Sequence, residues 1–270
     1  MNIESFEMER AAIVTTYKCN LKCKLCGAYA PYYENPEFFS FEYLAKAIDK
    51  YFKIVTYAKK ITITGGEPLL HPEIARIVKH VLNYSEKIGQ IEIITNGTLV
   101  PSKNLIDVLR ENGDKIIFLI DNYGKISKKV EEINLTLRKN NVNYNIRNYH
   151  GENAHCGGWV NMIDLTQKHF TKEEVEAKYK KCAYPQKLKF CFIIRREGEM
   201  HPCPPSHRCM ELNYIPKNTN EYIDLFDEKI TIREQRDKII KILNGKSLTA
   251  CAFCNGMCED SERFRPAEQL

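Results

Sequence analysis

Residues 11–26 read AAIVTTYKCNLKCKLC, a β-branched stretch that runs directly into three cysteines. Residues 11–17 favour a strand, because Ile, Val, Thr and Tyr fit a pleated, half-buried surface. Cys19, Cys23 and Cys26 follow, with three residues between the first pair and two between the second. Three thiolates are one short of the four that enclose a [4Fe–4S] cluster, so the spacing predicts a cluster with one open iron. The spacing alone also leaves a zinc site or a disulfide framework open.

A second informative stretch, ITITGGEP, occupies residues 61–68. Alternating Ile and Thr predict a strand, and Gly65 and Gly66 end it. Glycine allows the backbone to approach a ligand closely, and Glu67 adds a carboxylate at the end of this strand. A simple strand-to-helix turn with a solvated glutamate explains the same residues.

The two stretches together resemble the radical S-adenosylmethionine (SAM) superfamily, in which three cysteines hold a cluster. The resemblance implies that the amino and carboxylate groups of SAM bind the free iron. It also implies that Gly65, Gly66 and Glu67 lie against the methionine amino group. The expected cofactors are therefore SAM and a [4Fe–4S] cluster bound by three cysteines and SAM.

Size, charge and cysteine content narrow the class of protein. The 270 residues are 43% hydrophobic, which suits one large domain or a medium one with a small appendage. The net charge of +5, from 40 basic and 35 acidic residues, gives no face for nucleic acid. The opening residues are polar and no apolar run approaches the ~18 residues of a membrane span, so we expect a cytoplasmic protein. Eleven cysteines in that compartment favour metal binding over disulfides.

Strand-like and helix-like segments alternate along the first 165 residues. Strands are predicted at residues 11–17, 60–64, 90–95, 115–121 and 143–149, with a sixth at 159–165. Helical spacing of apolar residues separates the first five strands, at residues 41–56, 72–87, 101–111 and 126–140. Repeated β-α units predict an α/β fold with a parallel sheet. Six units suit a partial (β/α)6 TIM-like barrel, which the family resemblance also implies.

Reactive residues of α/β barrels lie at the carboxyl ends of the strands. Asn96 follows the third predicted strand, as part of either an Asn-Gly turn or a SAM contact. Asp121 ends the fourth, where a carboxylate can accept hydrogen bonds from ribose hydroxyls. Arg147 lies on the fifth strand, and His150 and His155 follow it. We expect Arg147 and His155 to line the substrate site, where an oxidation needs a base.

The β-α pattern stops after a capping box at residues 171–174 and a short helix. We therefore predict two domains, 1–181 and 182–270. The second holds seven of the eleven cysteines, namely Cys182, Cys191, Cys203, Cys209, Cys251, Cys254 and Cys258.

Gly198 predicts a hairpin turn between Cys182 and Cys203. With the later Cys251 and Cys254, this order resembles the twitch domain, a shortened SPASM domain that carries an auxiliary [4Fe–4S] cluster. The same four cysteines could instead build a zinc site, and Cys258 could replace Cys254 as a ligand.

The resemblance implies that SAM is cleaved to a 5′-deoxyadenosyl radical, which abstracts hydrogen from a substrate C–H bond. A fully ligated auxiliary cluster can accept an electron, so we expect an oxidoreductase that converts an alcohol to a ketone on a sugar-like or cyclitol-like molecule. The architecture is similar to that of the butirosin-pathway cyclitol dehydrogenases. A low-potential donor such as flavodoxin or ferredoxin is implied by the family.

Three other functions remain open. An epimerase would use a cysteine thiol as hydrogen donor, with Cys258, Cys209 or Cys156 as candidates. A peptide-modifying maturase would act on a precursor peptide. A non-enzymatic iron–sulfur or zinc scaffold requires the GGEP stretch to be accidental.

Overall fold

A single mixed sheet runs through the molecule. The computed structural model describes residues 5–187, 192–195 and 197–270. Within them the strands are β1 (Glu7–Val14), β2 (Tyr57–Thr64), β3 (Ile88–Thr95), β4 (Ile116–Asn122), β5 (Tyr144–Asn148), β6 (Phe192–Ile194), β7 (Glu199–His201) and β8 (Ile223–Asp224). Their order is β5-β4-β3-β2-β1-β6-β7-β8. Pairing is parallel from β5 through β6 and antiparallel beyond it.

The helices alternate with the first five strands and then cluster in the tail. They are α1 (Phe41–Ile54), α2 (Ile74–Leu82), α3 (Lys103–Glu111), α4 (Val130–Lys139), α5 (Lys172–Lys181), α6 (Ala183–Gln186), α7 (Pro204–Glu211) and α8 (Ile232–Leu243). The helix α3 begins two residues later than predicted, because Ser102 caps it by accepting a hydrogen bond from the Leu105 amide. The predicted capping box of Thr171 and Glu174 is confirmed at the start of α5.

The parallel strands are covered on both faces, which explains why whole strand segments are apolar or buried. In β2, Ile61, Thr62 and Ile63 are all completely buried. The apolar faces of α1 and α2 pack into the same core. The parallel order of the strands confirms the predicted α/β fold with a partial TIM-like barrel. It also places the carboxyl ends of these strands at one side of the sheet.

The predicted sixth strand at residues 159–165 is wrong. Trp159 makes only an isolated bridge with Phe264, and the sixth parallel strand is β6, which pairs with the free edge of β1. The predicted hairpin does form, since β6 and β7 are antiparallel and Gly198 turns the chain with φ +73°. The segment that reads as a strand at 159–165 is apolar because its residues are covered by the tail rather than by sheet neighbours. Cys191 lies outside the described residues.

The sheet continues past residue 181, so the division at that point stays a prediction. A second apolar cluster joins Tyr29 and Leu165 to residues of the tail, which are Cys209, Met210, Ile215, Tyr222 and Ala250. The tail therefore packs against the loop that carries the first three cysteines. Within the residues described, no helix combines the length and the apolar character needed to cross a bilayer.

Candidate active site

The three N-terminal cysteines lie in the loop that follows β1, at the carboxyl end of the barrel strands. Cys23 is buried, whereas Cys19 and Cys26 are half-buried. Two side-chain amides point at the sulfurs. Asn96 Nδ2 lies 3.7 Å from Cys19 Sγ, and Gln269 Nε2 lies 3.3 Å from Cys23 Sγ. Hydrogen bonds to cluster sulfurs are one of the factors that set the reduction potential of an iron–sulfur cluster.

The two glycines let the GGEP segment lie directly on this cysteine loop. Gly66 N donates to Thr16 O at 2.8 Å, and Glu67 N donates to Lys18 O at 2.8 Å. A Cβ on Gly65 would lie 2.5 Å from Thr16 O, and one on Gly66 would lie 2.2 Å from Lys18 O. The glycines are therefore required by a backbone-to-backbone contact that orders the cysteine loop, whatever a ligand demands in addition.

Glu67 is completely buried, so the interpretation as a solvated glutamate is wrong. Its carboxylate accepts hydrogen bonds from Leu69 N at 3.0 Å, Thr95 Oγ1 at 2.9 Å and Asn96 N at 2.8 Å. Burial raises the pKa of Glu67 to about 7, against the lowering effect of those three donors. The carboxylate ties β2 to the end of β3 and leaves acceptor capacity on Oε2, which has one partner.

Asn96 is both a turn residue and a neighbour of the cysteine loop. Its Oδ1 accepts from Thr98 N at 3.0 Å, and its Nδ2 donates to Asn20 Oδ1 at 3.0 Å. Its carbonyl oxygen accepts from Ser127 Oγ at 2.7 Å. The turn thus directs the Asn96 amide toward Cys19, and a contact with SAM stays a prediction.

Asp121 and Arg147 form an ion pair at the carboxyl ends of β4 and β5. Arg147 Nε and Nη2 each lie 2.6 Å from Asp121 Oδ1, and the two side chains are 22% and 10% exposed. Burial raises the pKa of Asp121, although Arg147 opposes this. Asp121 in turn raises the pKa of Arg147 despite burial. Among the described residues, the hydrogen-bond partner of the second oxygen, Oδ2, is the Tyr123 hydroxyl at 3.5 Å.

Aromatic side chains surround this pair and were not identified from the sequence. The Tyr123 ring packs 5.4 Å from Tyr149 and 5.6 Å from Trp159, and Tyr149 packs 5.2 Å from His155. Cys156 follows His155 and is exposed. The residues come from two loops, one that follows β4 and one that follows β5. Only their position after successive parallel strands could have indicated that they meet.

Four tail cysteines line one cavity. Cys182 ends α5, Cys203 precedes α7, and Cys251 and Cys254 lie in and after the 3₁₀ helix Thr249–Phe253. The cavity measures about 40 Å³, and most of its remaining lining is apolar, apart from Lys178. Burial raises the pKa of Cys203, Cys251 and Cys254, the last to about 11. Bare thiols here stay protonated at neutral pH, so a bound metal must displace their protons.

The donor types of these two sets suit an iron–sulfur cluster. Cysteine thiolates are the usual protein ligands of [4Fe–4S] clusters, and the N-terminal triad offers three of them and the tail set four. Four thiolates also bind a tetrahedral zinc ion, with Zn–S bonds of about 2.3 Å. Both donor sets therefore fit a cluster, and the tail set fits zinc as well.

Cys258 and Cys209 interact electrostatically with cysteines of the tail set but are not among the residues that line its cavity. Cys258 is buried beside α5, with its thiol 3.5 Å from Lys178 O. Cys209 is completely buried in the second apolar cluster. In the described part of the chain, no hydrogen bond or ion pair connects Cys258 with Arg147 or His155. The structure therefore brings Arg147 and His155 into one region but not Cys258.

Known proteins match the barrel most strongly. A family model described as "Radical SAM superfamily" matches residues 13–149, half of the chain. The probable GTP 3',8-cyclase of Methanocaldococcus jannaschii is 33% identical over 110 residues, which are 40% of this chain and 34% of the cyclase. The GTP 3',8-cyclase of Clostridium perfringens (strain SM101 / Type A) is 27% identical over 176 residues, and the match covers 60% of this chain and 53% of that cyclase. The match thus spans between a third and about half of the length of these relatives.

Two solved structures cover nearly the whole chain. BtrN in complex with AdoMet (SAM) and 2-DOIA has a TM-score of 0.52 at 14% identity and covers 97% of both chains. Native anSMEcpe with bound AdoMet has a TM-score of 0.53 at 14% identity, over 97% of this chain and 92% of that one. At such identities the likeness shows the fold. The family match, the barrel and the cysteine loop lead to one conclusion: the chain belongs to the radical SAM superfamily, whose members bind a [4Fe–4S] cluster and SAM.

Proposed function

We propose that this protein is a radical SAM oxidoreductase that dehydrogenates an alcohol carbon of a sugar-like or cyclitol-like substrate. The observation that carries this proposal is the second set of four cysteines around one cavity. Four thiolates leave no iron of a cubane open, so the second centre suits electron transfer rather than ligand binding. An acceptor for one electron is what an oxidation requires after hydrogen abstraction.

In this proposal Cys19, Cys23 and Cys26 hold the cluster that binds SAM. When bound, the cluster and SAM supply reductive cleavage to a 5′-deoxyadenosyl radical. Gly65 and Gly66 keep the cysteine loop in register through their backbone contacts, and Glu67 Oε2 has capacity for the methionine amino group. These residues would hold the methionine end of SAM against the cysteine loop.

Asn96 and Asp121 would contact the nucleoside part of SAM. Asp121 Oδ2 is the carboxylate oxygen that the arginine leaves available, so it can accept from ribose hydroxyls. Arg147 holds the other oxygen and fixes the carboxylate. The Tyr123 and Trp159 rings exclude water on the same side, which favours radical chemistry on a substrate carbon.

The base is assigned to His155 rather than to Arg147. Asp121 raises the pKa of Arg147, so the guanidinium keeps its proton and acts as a hydrogen-bond donor to substrate. The His155 imidazole lies against Tyr149 and can accept the proton that the substrate radical releases. The electron would pass to the cluster held by Cys182, Cys203, Cys251 and Cys254.

Iron content and SAM cleavage test this proposal. Anaerobic reconstitution should give about eight irons per chain, and replacing the four tail cysteines by Ala should leave about four. The tail variant should still release 5′-deoxyadenosine but should form no ketone. Replacing Cys19, Cys23 and Cys26 by Ala should abolish 5′-deoxyadenosine formation. Retained cleavage in that triple variant, or zinc in the tail of the native protein, contradicts the assignment.

An epimerase is the second candidate, and the position of Cys156 favours it. This exposed cysteine directly follows His155, beside the Arg147–Asp121 pair, whereas Cys209 is enclosed by the core. A thiol hydrogen donor at Cys156 would return hydrogen to the substrate radical. In D₂O, an epimerase incorporates deuterium into the product and loses turnover in Cys156→Ser, while a dehydrogenase does neither.

The substrate class and the electron donor complete the proposal. BtrN was crystallised with 2-DOIA, and anSMEcpe with the Kp18Cys peptide, so both a small molecule and a peptide are compatible with this fold. A peptide-modifying maturase is tested by supplying candidate peptides and following 5′-deoxyadenosine. The proposed reductant is a flavodoxin or ferredoxin.

A further inference from the structure

The last residues of the chain pair with the loop that carries the first three cysteines. Cys23 and Gln269 form an antiparallel bridge. Lys24 N donates to Glu268 O at 2.7 Å, and Leu270 N donates to Lys22 O at 2.8 Å. We call residues 267–270 the closing segment. It lies 244 or more residues away in sequence from Cys23, the cysteine it contacts, so no local motif predicts the contact.

Gln269 is the residue of this segment that reaches a cysteine sulfur. Its Nε2 lies 3.3 Å from Cys23 Sγ and 2.7 Å from Ala267 O. Its Oε1 accepts from Lys22 N at 2.8 Å. The backbone N–H of Lys22 needs an acceptor and the carbonyl of Ala267 needs a donor, so the amide has only one consistent orientation. That orientation directs an N–H at the sulfur.

The backbone of the segment is shaped to deliver this contact. Ala267 is completely buried and adopts φ +53°, a left-handed conformation that is unfavourable for a residue with a Cβ. Beyond this turn, Glu268 is exposed and pairs with Lys24 on the outer side, while Gln269 faces inward. Neighbouring side chains thus have separate partners, one a surface charge and one a sulfur.

We propose that Gln269 is a positioning residue that raises the reduction potential of the N-terminal cluster. A hydrogen bond donated to a thiolate ligand stabilises the more negative, reduced state, and such bonds are a recognised determinant of cluster potential. Cys23 is only 6% exposed, so water cannot replace the amide if it is removed. The inference rests on the proposed role of Cys19, Cys23 and Cys26 as cluster ligands.

The experiment is a redox titration of the full-length reconstituted protein, followed by EPR. Only the cluster with an open iron can bind SAM, so the signal that changes on adding SAM reports the N-terminal cluster. Gln269→Met keeps the size and neutrality of the side chain but removes its donor. We expect the reduced-to-oxidised ratio at a fixed potential to fall three- to tenfold, where tenfold corresponds to about 59 mV for one electron.

Two further variants separate hydrogen bonding from docking of the segment. Gln269→Glu still accepts from Lys22 N, but it presents no N–H to Cys23 and adds a negative charge beside it, so it should lower the potential further than Gln269→Met does. Glu268→Gln is the matched control, because it removes an exposed ion pair from the same segment and should leave the potential unchanged.

Each outcome bears on a separate claim. A wild-type potential in Gln269→Met and Gln269→Glu overturns the inference, and so does an equal shift in Glu268→Gln. If Gln269→Met loses its cluster, the potential of Gln269→Glu decides. If no signal in the native protein responds to SAM, the assignment of the cluster ligands fails instead, whatever the variants do.

Discussion

Replacing Gly66 by alanine should separate the GGEP segment from the cysteine loop. The new Cβ would lie 2.2 Å from Lys18 O, 2.6 Å from Lys18 C and 2.9 Å from Tyr17 O. All three are backbone atoms, so no side-chain rotation relieves the contact. The GGEP segment and the cysteine loop must move apart. The hydrogen bonds from Gly66 N to Thr16 O and from Glu67 N to Lys18 O then lengthen or break.

The loss in stability can be estimated from these contacts. Overpacking by one methyl group in a tight site costs roughly 1–3 kcal/mol. Two weakened backbone hydrogen bonds add about 1 kcal/mol, since a typical one contributes about 0.5–1.5 kcal/mol. The sum of roughly 2–4 kcal/mol corresponds to a fall in Tm of about 4–8 °C for a chain of this size, at roughly 2 °C per kcal/mol. The cysteine loop bears the displacement, so SAM affinity should fall by at least tenfold.

Gly113→Ala is the matched control. A Cβ at Gly113 would meet no atom, among those described, closer than 3.8 Å, so it should be tolerated. Both variants are compared by thermal unfolding of the apoprotein and by SAM binding to the reconstituted protein. Equal Tm and equal SAM affinity in Gly66→Ala and Gly113→Ala would refute the argument that backbone contact requires the glycine.

Three further predictions concern Glu67 and Asp121. Glu67→Gln presents an amide to three hydrogen-bond donors and should cost about 1–3 kcal/mol in urea unfolding, whereas the exposed Glu42→Gln should be neutral. Burial raises the pKa of Glu67 in the folded protein to about 7, from about 4.5 in the unfolded chain. The resulting contribution to stability is complete below about pH 4.5 and is lost as the pH rises through 7. Glu67→Gln should therefore flatten that part of the stability profile. Asp121→Asn leaves Arg147 without its counter-charge and should weaken SAM binding more than Arg147→Met does, by isothermal titration.

Local sequence was enough to predict the first five parallel strands of the barrel and to place Cys19, Gly65, Asn96 and Asp121 at strand ends. Hydrophobic periodicity and glycine positions are local properties, and parallel connectivity then brings the carboxyl ends to one side. The same reasoning failed at residues 159–165. An apolar, β-branched run looks alike whether a sheet neighbour or a folded tail covers it.

Contacts between distant segments were not accessible in this way. The burial of Glu67, the aromatic rings around Asp121 and the approach of Gln269 to Cys23 depend on loops that are far apart in sequence. No periodicity records which side chain from one loop meets which backbone atom from another.

The amino-acid sequence by itself determined the class of fold and predicted the thiolate donors of each group, because ligand chemistry and strand periodicity depend on residue type and spacing. The tertiary structure alone decided that Cys182, Cys203, Cys251 and Cys254 line one cavity. It also decided that Arg147 is held by Asp121 and that an amide from the end of the chain reaches Cys23. Distances between segments follow from packing of the whole chain, and packing is a collective property that no single stretch contains.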